Sequence, residues 1–218
     1  VLLGAWARLA AADERPQTAG SESHAAHVEN RRATTRVLDV GTGCGLVALL
    51  LAQRFPETHV VALEIDPQAA EQAADNVARS PFAQQIDVHC VDFLDENRCA
   101  SLVDAGAFDA IVSNPPFFEE TLLAPDALRA QARHTATGLT FARLAARAAR
   151  LLLPGGSLEV IVPKSAQDRF HAAAADTGCS LIRVTDVQTV ARKAPKRVLL
   201  HFIKGAAPEQ VERDTLIL

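Results

Sequence analysis

From Arg36 onward the chain alternates short apolar runs with stretches whose apolar positions recur at helical spacing. Arg36–Val40, His59–Glu64, Ile86–Val91, Phe108–Ser113 and Ser157–Val162 read as strands. Leu46–Phe55, Pro67–Arg79 and Leu139–Leu153 read as the helices between them. Asp66-Pro67 suits a helix cap and first turn, and Pro154-Gly155-Gly156 suits a stop. A further helix over Ser165–Thr177 precedes two more strands, Leu181–Gln188 and Arg197–Ile203. No full helix separates these two, so they are expected to pair as an antiparallel hairpin. Strand–helix alternation predicts an α/β fold: a mostly parallel, seven-stranded sheet with a C-terminal antiparallel hairpin and helices on both faces.

Residues 13–35 break this pattern. They are polar and without periodicity, and read as a flexible loop. His24 and His27 within it lack the partners of a metal site, so a solvated loop is the better reading and no metal is expected. The apolar opening, residues 1–12, is too short and lacks the basic start of a signal peptide. The chain begins at Val1 and contains 0 Met, which points to the remnant of a longer segment. Residues 36–218 are expected to form the working domain. Hydrophobic residues make up 49% of the chain, enough for a sizeable core, yet no run is long enough to suggest a membrane span. Cys44, Cys90, Cys99 and Cys179 form no C-x-x-C pair, and reduced cysteines in a cytoplasmic protein are expected. The net charge of −4 excludes a globally basic surface, so any nucleic acid must be held by local patches.

The densest motif is Asp39-Val40-Gly41-Thr42-Gly43-Cys44-Gly45, leaving a strand and entering a helix. Glycines there allow a tight turn and close approach of backbone to a ligand. A nicotinamide loop would read G-x-G-x-x-G, whereas Gly45 follows Gly43 after one residue. The D-x-G-x-G-x-G form resembles the first motif of class I methyltransferases, which implies a Rossmann-like fold and S-adenosylmethionine as cofactor. Asp39 would then lie near the methionine part. Glu64 ends the next strand, 19 residues after Gly45. A carboxylate there can accept hydrogen bonds from both ribose hydroxyls. Asp92 ends the third strand and could accept from the adenine amine.

After the fourth strand comes Asn114-Pro115-Pro116-Phe117. Two prolines hold the backbone extended and remove two N–H donors, leaving outward carbonyls and side chains. That suits an exocyclic amine, whose lone pair is delocalised into its ring. The Asn114 side-chain oxygen and the Pro115 carbonyl can each accept one amine hydrogen, turning the lone pair toward a methyl donor. Phe117 can stack on the base. Positioning and polarisation carry this chemistry, with no need for a metal.

With Phe118, Pro125-Asp126, Gln131-Ala132-Arg133-His134-Thr135, Leu2-Leu3-Gly4-Ala5-Trp6 and Pro195-Lys196-Arg197-Val198-Leu199-Leu200, the chain resembles the bacterial tRNA1(Val) adenine-N6 methyltransferases. The likeness spans nearly all of it apart from residues 13–35. It implies methyl transfer to N6 of an adenosine beside the anticodon, S-adenosylhomocysteine as product, and a monomer whose partner is tRNA. Phe117 replaces the family's usual Tyr, which keeps stacking and loses a hydroxyl.

Arg129 and Arg133 lie four apart and would share a helix face, with His134 beside them; Arg192, Lys193, Lys196 and Arg197 cluster around Pro195. The resemblance makes both groups candidates for gripping phosphates. Guanine-N2 methyltransferases of rRNA and glutamine-N5 methyltransferases of release factors face the same lone-pair problem and stay open as alternatives. A non-catalytic RNA-binding scaffold is the alternative of another class.

Overall fold

The computed structural model describes residues 1–9, 34–103, 107–116, 138–205 and 209–218. The predicted loop therefore lies outside the described residues up to position 33, and Thr35 already opens the first strand.

The elements run α1 (Leu2–Trp6), β1 (Thr35–Val40), α2 (Leu46–Arg54), β2 (Thr58–Glu64), α3 (Pro67–Ala78), β3 (Ile86–Cys90), α4 (Glu96–Cys99) and β4 (Phe108–Ser113). Then come α5 (Phe141–Leu151), β5 (Leu152–Pro163), a 3-10 turn over Lys164–Ala166, α6 (Gln167–Ala175), β6 (Cys179–Gln188), β7 (Arg197–Lys204) and β8 (Glu212–Ile217). One sheet holds the strands in the order β3-β2-β1-β4-β5-β7-β6-β8. The first five strands in that order pair in parallel, while β7 is antiparallel to both β5 and β6.

Alternating side chains build a core on each face. Leu38, Val61, Ile111 and Val160 meet Leu144 of α5 and Phe170 of α6 on one face. Val37, Val60, Val112 and Ile161 meet Leu3 of α1, Leu51 of α2 and Val77 of α3 on the other. This is the expected doubly covered sheet. Asp66 does cap α3, accepting the N–H groups of Gln68 and Ala69 with Pro67 in the first turn.

The sheet differs from the expectation in two places. It has an eighth strand, β8, parallel to β6 at the edge. Its sequence, Glu212-Arg213-Asp214-Thr215, carries no apolar alternation, because both faces there are largely exposed. Pro154-Gly155-Gly156 also does not follow a helix running to Leu153. Helix α5 ends at Leu151, and Leu152 already pairs with Phe108 before the register jumps to Ala110 opposite Ser157. The Pro-Gly-Gly step is a bulge inside β5, where a Cβ on Gly156 would stand 2.9 Å from the Leu153 carbonyl.

Candidate active site

The parallel strands end together, and their register fixes what meets there. Val40 stands opposite Leu63 and Ser113, and Glu64 opposite Cys90. Gly41, Glu64, Asp92 and Asn114 therefore emerge from four neighbouring strand ends. They line a cleft of about 450 Å³, within the range of small-molecule sites. Its apolar walls include Ile65, Phe93, Pro116 and Leu139.

The glycine loop is held from below and from its sides. The N–H groups of Gly41 and Thr42 both donate to the Leu63 carbonyl, at 2.9 and 3.0 Å. The Thr42 hydroxyl donates to Asp39 Oδ2 at 2.6 Å. Asn76 Nδ2, from α3, donates to the Cys44 carbonyl at 2.9 Å. Gly41 has φ +71°, and a Cβ there would meet no protein atom within 4 Å, so the space above it belongs to the cleft. Gly45 has φ +81° and caps α2, where a Cβ would lie 3.3 Å from that of Ala73. One glycine leaves room for a ligand, and the other for a neighbouring helix.

The acids differ in setting. Asp39 is 1% exposed and does not line the cleft. Burial pushes its carboxyl up to about 6, against the pull of the Thr42 hydroxyl. Glu64 is half-buried at the cleft wall; Oε2 accepts from Gly43 N–H at 2.8 Å, and Oε1 from Ile65 and Asp66 at 2.8 and 3.0 Å. Asp92 accepts the Leu94 N–H at Oδ1, 2.8 Å. Phe93 beside it is buried, with the Arg147 guanidinium 5.1 Å from its ring centre.

Asn114 is exposed in the cleft, whereas Pro115 is buried. The preceding Ser113 is pinned by its hydroxyl, which donates to the Val40 carbonyl at 2.8 Å. Phe117, Arg129, Arg133 and His134 lie outside the described residues. Arg192, Lys193 and Lys196 are exposed on the turn between β6 and β7, and Arg197 is half-buried at the start of β7. Arg197 pairs with Pro163 at the end of β5, so this turn sits at the same end of the sheet as the cleft. It is about 10 Å sideways from β4 at ordinary strand spacing.

Ile65, Phe93, Leu139 and Asn76 were not singled out from the sequence. Ile65 and Phe93 each directly follow an acid at a strand end, a signal that could have found them. Nothing local marks Asn76, which reaches the loop from another helix. Among the described residues no group of three or more His, Cys, Asp or Glu could hold a metal ion. Among them too, no helix is long and apolar enough to cross a membrane.

The chain is similar to known proteins. The family model described as "Methyltransferase small domain" matches residues 17–174. A tRNA1(Val) (adenine(37)-N6)-methyltransferase of Porphyromonas gingivalis is 43% identical, covering 100% of this chain and 78% of the relative. One of Cronobacter sakazakii is 37% identical with the same coverage, 100% and 78%. Among solved structures, a predicted O-methyltransferase from Agrobacterium tumefaciens superposes with a TM-score of 0.66, covering 87% of this chain and 83% of that one at 21% identity, a likeness of fold. Identity at this level over the whole chain places it in the family of the tRNA1(Val) (adenine(37)-N6)-methyltransferases.

Proposed function

We propose that the protein transfers a methyl group from S-adenosylmethionine to N6 of the adenosine beside the anticodon of tRNA1(Val). One observation carries this reading: Gly41, Glu64, Asp92 and Asn114 line a single cleft at the carboxyl end of the sheet.

The residues fit the cofactor. Glu64 and Asp92 offer carboxylates for the ribose hydroxyls and the adenine amine. Ile65, 64% exposed at the rim, and Phe93 offer apolar surface for the adenine ring. Gly41 leaves the open side of the loop free for the methionine part. Asp39 acts on that part indirectly, holding Thr42 and with it the loop. When bound, the cofactor supplies an electrophilic methyl group on a sulfonium.

Asn114 and the Pro115 carbonyl orient the adenine amine, each accepting one of its hydrogens, so that the lone pair faces the methyl group. Phe117 stacks on the base and keeps it in plane. The buried Ser113–Val40 bond fixes the height of Asn114 relative to the glycine loop. Arg192, Lys193, Lys196 and Arg197 hold phosphates outside the reacting nucleotide, and Arg129, Arg133 and His134 also contact the RNA. The protein works in the cytoplasm as a single copy.

The test is incubation with labelled S-adenosylmethionine and an unmodified tRNA1(Val) transcript, followed by digestion and mass spectrometry. N6-methyladenosine beside the anticodon is the expected product. Asn114→Ala abolishes it while leaving affinity for S-adenosylhomocysteine nearly intact; loss of that affinity would remove Asn114 from the transfer step. Cofactor binding with no methylated nucleoside would move the substrate to rRNA guanine or to a protein glutamine.

A further inference from the structure

On the face of the sheet that carries α1, a row of ionisable side chains crosses four neighbouring strands. Register sets Glu159 of β5 opposite His201 of β7, His201 opposite Arg183 of β6, and Arg183 opposite Glu212 of β8. Glu159 is 0% exposed, His201 5% and Arg183 8%. Such a row is costly unless every member is paired. Here the pairing is incomplete. Neither His201 ring nitrogen makes a hydrogen bond, and Nδ1 stands 3.9 Å from Glu159 Oε1. Arg183 Nη2 donates to Asp214 Oδ2 at 2.8 Å, while its Nε lies 3.4 Å from Glu212 Oε1 without an aligned bond.

The segment Leu2–Arg8 covers this row. The Arg8 backbone N–H donates to both Glu159 oxygens, at 3.1 and 3.3 Å, and its guanidinium grips Glu212 with two bonds, at 2.9 and 3.2 Å. The Trp6 ring lies 4.5 Å from the Arg183 guanidinium and 6.2 Å from the His201 ring, and its N–H donates to Thr185 Oγ1 at 2.8 Å. The segment also leans on α2. Arg54 Nη1 donates to the carbonyls of Gly4 and Ala7 at 2.6 and 3.0 Å, and a Cβ on Gly4 would stand 2.9 Å from that of Leu50. The same segment thus seals a buried carboxyl and braces the helix whose first turn carries the glycine loop.

We propose that Glu159, with His201 beside it, is a protonation latch for the segment Leu2–Arg8: the segment closes on the sheet while Glu159 holds a proton and opens as that proton is lost. Closure takes the carboxyl out of water, and opening returns it. Burial pushes Glu159 up to about 8, outweighing the Arg8 N–H and the charges of Arg183, Arg54 and Arg8, which favour the ionised form. Burial, helped by Arg183 and Arg8, pushes His201 down to about 4. Glu159 binds its proton more tightly when closed, so its support for closure is lost as pH rises toward about 8. His201 binds its proton more weakly when closed, so its support is lost as pH falls from 6.5 toward about 4. The two oppose each other while His201 titrates, and Glu159 dominates as pH rises past ~6.5. From pH ~6 to ~8, Glu159 weakens closure about fifty-fold and His201 restores about fourfold, a net loss of roughly tenfold.

Trp6 is the only tryptophan, so its fluorescence reports closure without cofactor or RNA. This keeps failure of the latch distinct from failure of the methyltransferase reading. Emission is expected to shift to the red between pH ~6 and ~8.5, and E159Q should flatten that shift. Wild-type emission flat across this range, or the same titration in a folded E159Q, overturns the proposal. Hydrogen exchange on the wild type decides the matter even if E159Q does not fold. After correction for intrinsic rate, protection of the Arg8 amide should fall about tenfold from pH ~6 to ~8 while that of Val61 in β2 stays constant; equal behaviour of the two amides overturns the latch.

Discussion

Adding one methyl group at either of two glycines should separate ligand binding from folding. Gly41 and Gly45 share a left-handed backbone, at φ +71° and +81°. Alanine in that region costs about 1–2 kcal/mol. The stiffer unfolded chain gives back roughly 0.4–1 kcal/mol. Backbone strain alone therefore predicts a loss of about 1 kcal/mol at each position. Their surroundings differ. A methyl group on Gly41 meets no protein atom within 4 Å and enters the cleft. On Gly45 it comes within 3.3 Å of the Ala73 Cβ and 3.4 Å of its Cα, so α3 must give way. Crowding of that kind adds about 1 kcal/mol, the low end for overpacking.

Urea denaturation should then show Gly45→Ala losing about 2 kcal/mol and Gly41→Ala about 1 kcal/mol. Calorimetric titration with S-adenosylhomocysteine should show the opposite order, with Gly41→Ala losing at least about tenfold in affinity, or 1.4 kcal/mol, and Gly45→Ala less. If Gly41→Ala kept its affinity while losing as much stability as Gly45→Ala, the cleft above the glycine loop would not be the cofactor site.

Three further outcomes test separate parts of the molecule. Phe170→Ala removes a fully buried ring set 5.0 Å from Phe141 and 5.7 Å from Phe202, and chemical denaturation should show a loss of about 3–5 kcal/mol. Asp39, raised to about 6, favours the native state below its ordinary pKa of 3.8 and loses that contribution as pH rises through about 6. That is about 3 kcal/mol in all, so stability curves of Asp39→Asn should be flatter than wild type across this window. Charge reversal of Arg192 and Lys193 to Glu should weaken tRNA binding and reduce its salt slope, read by filter binding at several salt concentrations; unchanged binding would remove that turn from the RNA surface.

The parallel half of the sheet was legible because its inner strands are buried on both faces and its helices carry regular apolar stripes. Val37-Leu38 and Val60-Val61-Ala62-Leu63 could hardly be anything else. The edge was not legible: β8 is held by backbone pairing to β6 and by Arg183, which bonds Asp214, while its own side chains stay largely in water. The bulge in β5 was misplaced because Pro154-Gly155-Gly156 stops a helix as readily as it kinks a strand. At the site, the motif residues stood out because each occupies a strand end. The supports did not, because Asn76 and Ser113 act through contacts 32 and 73 positions away in the chain.

Glu64 marks the boundary between the two kinds of knowledge. Its spacing from Gly45 singles out the carboxylate proposed to face a ribose, but says nothing of what that carboxylate already holds. Three backbone N–H groups bond to it, from Gly43, Ile65 and Asp66. An ionised carboxylate offers roughly four acceptor sites. One ribose hydroxyl can therefore be added without disturbing the others, whereas a second requires one of the three bonds to yield. The Ile65 and Asp66 bonds are local to the turn after β2 and are made again wherever that turn goes. The Gly43 bond instead ties β2 to the glycine loop, so it is the bond that can yield by a small shift of the loop. On the proposed reading, full engagement of a ribose would be coupled to movement of Gly43, within the limits set by the tethers from Asn76 and from Thr42 to Asp39.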